Sequence, residues 1–260
     1  MQLVRDAVRA RGPGSRGRLA ARFWLAAIVA VLLAPVGSSA LAAAAAAKNP
    51  DPWQGLNRKI FEFNDFMDRY LLKPAAQGYD FVMPNPMQRG VSNAFDNIGT
   101  PWIAANEFLQ GKPRRGLSDL LRFAINSTLG VAGLFDVASH AGMDKYQEDF
   151  GQTLSVWGVA RGPYFVIPLR GPSTVTDAVG LVVDAFFNPI LYIKRDRTRY
   201  GVLALSFIEQ RARLLDAESL ISGDKYIFIR DAYLQRREFL IKDGQVESDP
   251  FVDEDFDYEE

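Results

Sequence analysis

The strongest constraint on this chain is a repeated spacing of large apolar residues, three and four apart, in segments punctuated by proline. Trp53, Leu56, Ile60, Phe63, Met67 and Tyr70 recur at intervals of 3, 4, 3, 4 and 3, which places them along one side of an α-helix. Phe61, Phe66 and Leu71 widen that stripe beyond a narrow core contact. Asp51 can cap the start, Pro52 suits a first turn, and Lys73-Pro74 marks an end. Asn85-Pro86 opens a second helix with Met87, Val91, Phe95 and Ile98, Thr100-Pro101 a third with Trp102, Ile103 and Leu109, and Lys112-Pro113 a fourth with Leu117, Leu120 and Leu121. Ser173 and Thr174, followed by Asp177, form a capping box. The helix they start runs to about Phe187 and stops at Asn188-Pro189. Two more helices occupy residues 200–221 and 224–242. Strand signal is confined to residues 164–169, and Pro168 demotes it. The expected fold is mainly α, a single domain of amphipathic helices over residues 48–242.

Both ends read differently. Arginines 5, 9, 11, 16, 18 and 22 precede an apolar run over residues 23–34, then Pro35, small residues and an alanine string. That order matches a secretory signal over residues 1–47, with A-x-A cleavage sites between Ala40 and Ala47. An uncleaved anchor is the other reading, but the run falls short of the ~20 apolar residues a span needs. Residues 243–260 hold nine Asp or Glu and no Lys or Arg, the composition of a disordered acidic tail. Phe251, Val252, Phe256 and Tyr258 are interleaved with the acids. The tail reads either as a solubilising segment or as a docking peptide for a basic partner.

Charge and residue types exclude several functions. Of 30 basic and 31 acidic residues, six arginines and Asp6 fall in the signal segment, which leaves the rest at net −6. Generic nucleic-acid binding is not expected at that charge. The 260 residues contain no cysteine and one histidine, His140. Disulfides, thiolate metal sites and cysteine nucleophiles are therefore excluded. Little remains for a Ser-His-Asp triad, and no G-x-S-x-G elbow is present. We expect no catalytic residues, no metal and no cofactor. His140 reads as a loop histidine.

Four segments carry two readings each. Residues 178–187 have Asp184 as their one polar side chain. Such a helix is either buried in protein or lies in lipid, and ten residues cannot cross a bilayer. Residues 151–172 hold glycines 151, 158, 162 and 171 and prolines 163, 168 and 172. They suggest a structured loop that is neither helix nor ordinary strand. Asn57, Phe61, Asn64 and Asp68 follow helical spacing off the main stripe of the first helix. They suit either an amphipathic path or a solvated edge. Lys194, Arg195, Arg197 and Arg199 form a basic run for anionic groups or for solvent.

Three ordered motif groups stand out over roughly residues 50–242. The first is Asp51-Pro52-Trp53, Asn57-Arg58, Phe63-Asn64 and Lys73-Pro74. The second is Asn126-Ser127-Thr128-Leu129-Gly130 with Gly133-Leu134-Phe135-Asp136-Val137-Ala138. The third is Glu148-Asp149-Phe150-Gly151-Gln152-Thr153-Leu154, then Gly162-Pro163-Tyr164, Leu169, Gly171-Pro172-Ser173 and Asp177.

Together the three groups resemble the VacJ/MlaA family, and that resemblance implies a ring-like helical body lying in the inner leaflet of the outer membrane, with an amphipathic channel for phospholipid. It implies a trimeric porin beside the protein and a soluble periplasmic lipid carrier that takes the cargo onward. It also tips residues 178–187 toward the membrane. By motif, Gly158, Gly162, Pro163 and Tyr164 would line or gate the channel, with Asn57 and Asn64 on its polar side. Plain turn chemistry is the other reading of the glycine-rich segment. Typical members carry a lipidated cysteine that this sequence lacks, so attachment would rest on in-plane helices and protein partners. One acyl chain gives only marginal binding in any case. A soluble periplasmic lipid-binding protein is the alternative function.

Overall fold

The computed structural model describes residues 49–245, a single, mainly helical domain. The signal segment and most of the acidic tail lie outside the described residues. Asp243, assigned from sequence to that tail, is within them, and it accepts from Lys112 and from Arg115 Nη1 at 2.8 Å.

Helix α1 spans Gln54–Met67. Asp51 does not cap it: the Asp51 side chain is buried and accepts from Asn57 and from the Tyr226 hydroxyl instead. Nor does Lys73-Pro74 end it. A π-helical turn over Asp68–Leu72 leads directly into α2, Lys73–Val82. In that turn the Lys73 N–H reaches back five residues to the Asp68 carbonyl. The widened turn lets the chain stay helical past a proline that has no N–H to give.

Helix α3, Asn85–Leu109, absorbs what reads as two helices in the sequence, because Pro101 sits inside it. Both halves are held from outside. Asn97 donates to Ser127 at 2.9 Å, and Asn106 accepts from Thr153 at 2.8 Å. α4, Pro113–Thr128, returns along α3. Two short helices follow that the sequence reading lacked, α5 (Val137–His140) and α6 (Phe150–Val156), capped by Asp136 and Asp149. The glycine-rich segment is thus partly helical.

Strands β1 (Tyr164–Ile167) and β2 (Gly171–Thr174) form an antiparallel hairpin with Tyr164 opposite Thr174. Pro168 lies in the turn just past β1, so it interrupts no ladder bond. Thr174 caps α7, Val175–Phe187, by accepting from the Asp177 N–H at 3.2 Å. A short 3₁₀ turn over Pro189–Tyr192 leads to α8, Asp196–Ala212, and another over Asp216–Leu220 leads to α9, Lys225–Ile241.

Burial is inverted. Among the described residues seven apolar side chains are buried against sixteen polar or charged ones, while thirty-four large apolar side chains stay exposed. α4 is the clearest case: Asp119, Arg122 and Asn126 face inward, and Leu117, Leu120 and Leu121 face out. Among the described residues a conventional apolar cluster forms where Tyr164, Val166 and Tyr226 meet, with Ile60, Phe61 and Tyr233 packed around them. α7 is not buried in a core either. Thr176 and Gly180 are its buried residues. A Cβ on Gly180 would come within 2.3 Å of the Gly151 nitrogen, so glycine is what allows α7 to lie on α6.

Candidate functional site: two adjoining cavities beside a clamped hairpin

Asn57 and Asn64 lie two helical turns apart on one side of α1, and both reach the free edge of β1. Asn57 Nδ2 donates to Asp51 Oδ1 at 2.8 Å and to the Tyr164 carbonyl at 3.3 Å, while its Oδ1 accepts from the Val166 N–H at 3.0 Å. Asn64 Nδ2 donates to the Ile167 carbonyl at 2.9 Å, and its Oδ1 accepts from the Leu169 N–H at 2.7 Å. A carboxamide carries one donor group and one acceptor in the spacing of a peptide unit. The two asparagines therefore stand in for a third strand and leave no open edge there.

The hairpin turn is strained. Arg170 N–H closes it on the Ile167 carbonyl at 3.2 Å, Pro168 takes the second position, and Leu169 takes the third with φ 63°. Proline followed by a left-handed residue is a type II pattern that favours glycine in the third place. Leucine there costs on the order of 1 kcal/mol, and the Asn64 bond to its N–H offsets it.

Beside the hairpin lies a cavity of about 450 Å³. Phe61, Leu214, Ile221 and Phe228 give it an apolar wall, and Asn64, Arg170 and Arg211 add polar groups. Three of the four residues on the off-stripe side of the first helix, Phe61, Asn64 and Asp68, line it. A second cavity of about 630 Å³ opens between α3, α7 and α8, with Trp102, Asp184 and Phe187 on its wall. Leu214 borders both, so the two adjoin.

Ion pairs hold these walls. Arg211 donates to Asp68 at 2.7 and 3.0 Å and to Glu218 at 2.8 Å. Lys73 also reaches Glu218, at 3.0 Å, and with Arg211 holds its carboxyl at about 2. Lys225 pairs with Asp65 at 2.6 Å. In the second cavity Trp102 Nε1 and the Phe150 N–H both donate to Asp184, at 2.7 and 3.0 Å, and the Trp102 ring stacks on Phe187 at 3.8 Å. Burial still pushes the Asp184 carboxyl above its ordinary value. Arg237, buried, bridges Asp149 and Asp177, each at 2.7 Å, and so ties the starts of α6 and α7 to α9.

The residues expected to line a channel are divided by this geometry. Asn64 borders the first cavity. Asn57 holds the hairpin from a buried position. Tyr164 is 1% exposed and packs against Tyr226 and Tyr233. Gly158 and Gly162 take φ 87° and 69° in the link from α6 to β1, and the Pro163 carbonyl accepts from the Val175 N–H at 3.2 Å. None of Gly158, Gly162, Pro163 and Tyr164 lines either of these two cavities. The sequence reading missed Arg170, which sits unassigned between Leu169 and Gly171 of the third motif group, and Arg211, which stands in no motif. His140 is exposed, and its Nδ1 lies 2.7 Å from the Asp136 carbonyl.

A polar interior, an apolar exterior and two adjoining amphipathic cavities define an inside-out helical protein. The chain belongs to the MlaA lipoprotein family, whose model matches residues 49–240. It is 37% identical over 202 residues to the intermembrane phospholipid transport system lipoprotein MlaA of Escherichia coli (strain K12), covering 75% of this chain and 80% of that protein. The protein of the same name from Haemophilus influenzae is 32% identical over 210 residues, covering 75% and 81%. A solved structure from work on the structural basis for maintenance of bacterial outer membrane lipid asymmetry aligns with a TM-score of 0.65 at 36% identity. It covers 74% of this chain and 98% of that one.

Proposed function

We propose that this protein moves phospholipid between the outer membrane and the periplasm and so maintains outer-membrane lipid asymmetry. In this reading it withdraws phospholipids mislocalised in the outer leaflet, passes them through the adjoining cavities, and releases them to a periplasmic lipid carrier. It rests in the inner leaflet beside a trimeric porin, and it moves lipid without reacting with it. The observation that carries the reading is the inverted burial. Among the described residues thirty-four exposed large apolar side chains surround a polar interior. Transfer of such side chains out of water is favourable by roughly 1.5–3 kcal/mol each when complete. Among the described residues no helix is long and apolar enough to cross a membrane, so the apolar faces suit helices lying in the plane of a leaflet. The names of the E. coli and H. influenzae relatives support the same cargo.

Deletion of the gene tests this. We expect outer-leaflet phospholipid to rise and detergent resistance to fall, with the unaltered chain restoring both. An unchanged outer leaflet in a strain with no second copy rejects transport. Recovery of the protein chiefly in the soluble periplasm favours the carrier-like alternative. Fatty-acid release by the purified protein, abolished by one Ser or Asp substitution, rejects the non-enzymatic reading.

A further inference from the structure

Three cations line the cavity beside the hairpin, and two are neutralised. Arg211 is held by Asp68 and Glu218, and Lys225 by Asp65. Arg170 differs. Among the described residues its guanidinium makes no hydrogen bond and no ion pair, although it stays accessible from the cavity. The carboxylates that influence it, Asp184 and Asp149, are committed elsewhere, to Trp102 and the Phe150 N–H and to Arg237. Protein around it lowers its affinity for a proton from the ordinary value, through desolvation that those carboxylates only partly offset. Arg170 is exposed, so water solvates it when the cavity is empty, and an anion entering the cavity meets donors that no protein group occupies. A planar guanidinium with free donors suits the oxygens of a phosphate group.

The placement is enforced. Arg170 closes the strained turn, and Asn64 pins that turn through Ile167 and Leu169. Leu169 on the same turn is 65% exposed, so an apolar group and a free cation stand side by side. The wall beyond them is Phe61, Ile221 and Phe228.

We propose that Arg170 is a phosphate-binding residue at this cavity: it takes the phosphodiester of a phospholipid whose chain lies along the apolar wall. The proposal rests on the transport reading above and names the site that would hold the cargo.

The test uses the purified full-length chain and three probes by calorimetry: dihexanoylphosphatidylglycerol, the uncharged dihexanoylglycerol, and inorganic phosphate. We expect Arg170→Gln to raise the Kd for the phospholipid about tenfold and leave that for dihexanoylglycerol unchanged. Arg170→Lys should recover part of the loss. Phe228→Ala should weaken both lipids. The thermal midpoint of Arg170→Gln should stay near that of the unaltered chain, because the side chain makes no bond to lose. Equal phospholipid affinity in Arg170→Gln and the unaltered chain overturns the inference while leaving the cavity reading intact. Phosphate binding as tight as phospholipid binding overturns the lipid part and makes the site one for a free anion. Failure of the unaltered chain to bind either lipid overturns the inference and the cavity reading together.

Discussion

The α3–α4 pair and the hairpin with α9 solve the same packing problem in opposite ways. Where the hairpin meets α1 and α9, Tyr164, Val166 and Tyr226 are buried and bring apolar surface inward. Between α3 and α4 the buried set is Asn97, Asn106, Glu107, Asp119, Arg122 and Asn126, with leucines outward. The first arrangement gains from leaving water. The second rests on the pairs it does make, through Arg122, Asn126 and Asn106, and among the described residues it leaves both Glu107 carboxyl oxygens, Asp119 Oδ2 and Asn97 Oδ1 buried without a hydrogen-bond partner, which costs stability. The difference implies that the two regions have different surroundings, and each expectation below probes it.

The largest effect should come from Arg122. It donates to the Met143 carbonyl, to Asp136 at 3.1 Å and to Ser139 at 2.9 Å, with Asp119 at 3.7 Å. Burial alone would raise the Asp136 carboxyl, but bonds from Ser139 and Asn126, together with Arg122, hold it at about 2. Arg122→Met should destabilise the fold by about 3–5 kcal/mol, because it leaves buried carboxylates without their cation. Denaturant unfolding in micelles checks this. A loss below about 1 kcal/mol would mean that the polar interior is not what holds α4.

Asn57→Ala comes next, at about 2–3 kcal/mol, because it strands the buried Val166 N–H and weakens the hold on Asp51. Asn64→Ala should cost less, since Leu169 beside it is exposed to water that can replace the lost bond. Amide hydrogen exchange at Val166 and Leu169 distinguishes the two. Equal protection loss at both would refute the idea of an asymmetric clamp.

The contrast also explains what the sequence revealed. The bounds of α7 and α9 and the start of α4 were legible from caps, prolines and spacing, since those signals are local. The side each stripe faces was not. Leu117, Leu120 and Leu121 have the same period whether they meet a core or a lipid, and period alone carries no direction. The helical passage through Pro74 and Pro101 was illegible because tertiary bonds, such as Asn97 to Ser127, hold both sides of the break. The partnership of Asn57 and Asn64 with β1 spans more than one hundred positions, beyond any pattern within the helix. Arg170 was unreadable for the same reason, because its character depends on which cations around it are paired.

Replacing Leu117 and Leu121 together with serine should cost about 1–2 kcal/mol in buffer, since each keeps part of its side chain out of water and serine has the weaker helix preference. Leu117 and Leu121 are 65% and 53% exposed. The same variant should bind phospholipid vesicles more weakly, which flotation measures. Unchanged vesicle binding would remove α4 from the membrane-facing surface.

The last expectation concerns pH and the carboxyl pair at the centre of the polar interior. Burial, with Asp119 and Glu148 nearby, pushes Glu107 up to about 8. Burial likewise pushes Asp119 to about 6, although Arg122 opposes it. Glu107, Asp119 and Glu148 face Arg115, Arg122 and Lys145 across this interior. An acid whose folded value is raised holds its proton longer in the folded state than in the unfolded one. Folding stability therefore falls as pH rises between the unfolded and folded values. For Glu107 that window runs from about 4.5 to about 8. Asp136 and Glu218, both near 2, act oppositely: they support the fold above about 4 and withdraw that support as pH falls toward 2. Their window lies below the neutral range, so Glu107 and Asp119 contribute to the slope between pH 5 and 8 alongside Asp184, which burial also raises. Glu107→Gln keeps the shape, removes the titration and should flatten the thermal midpoint across that range. An undiminished slope in the variant would show that Glu107 does not hold its proton through this range and that other groups set the slope.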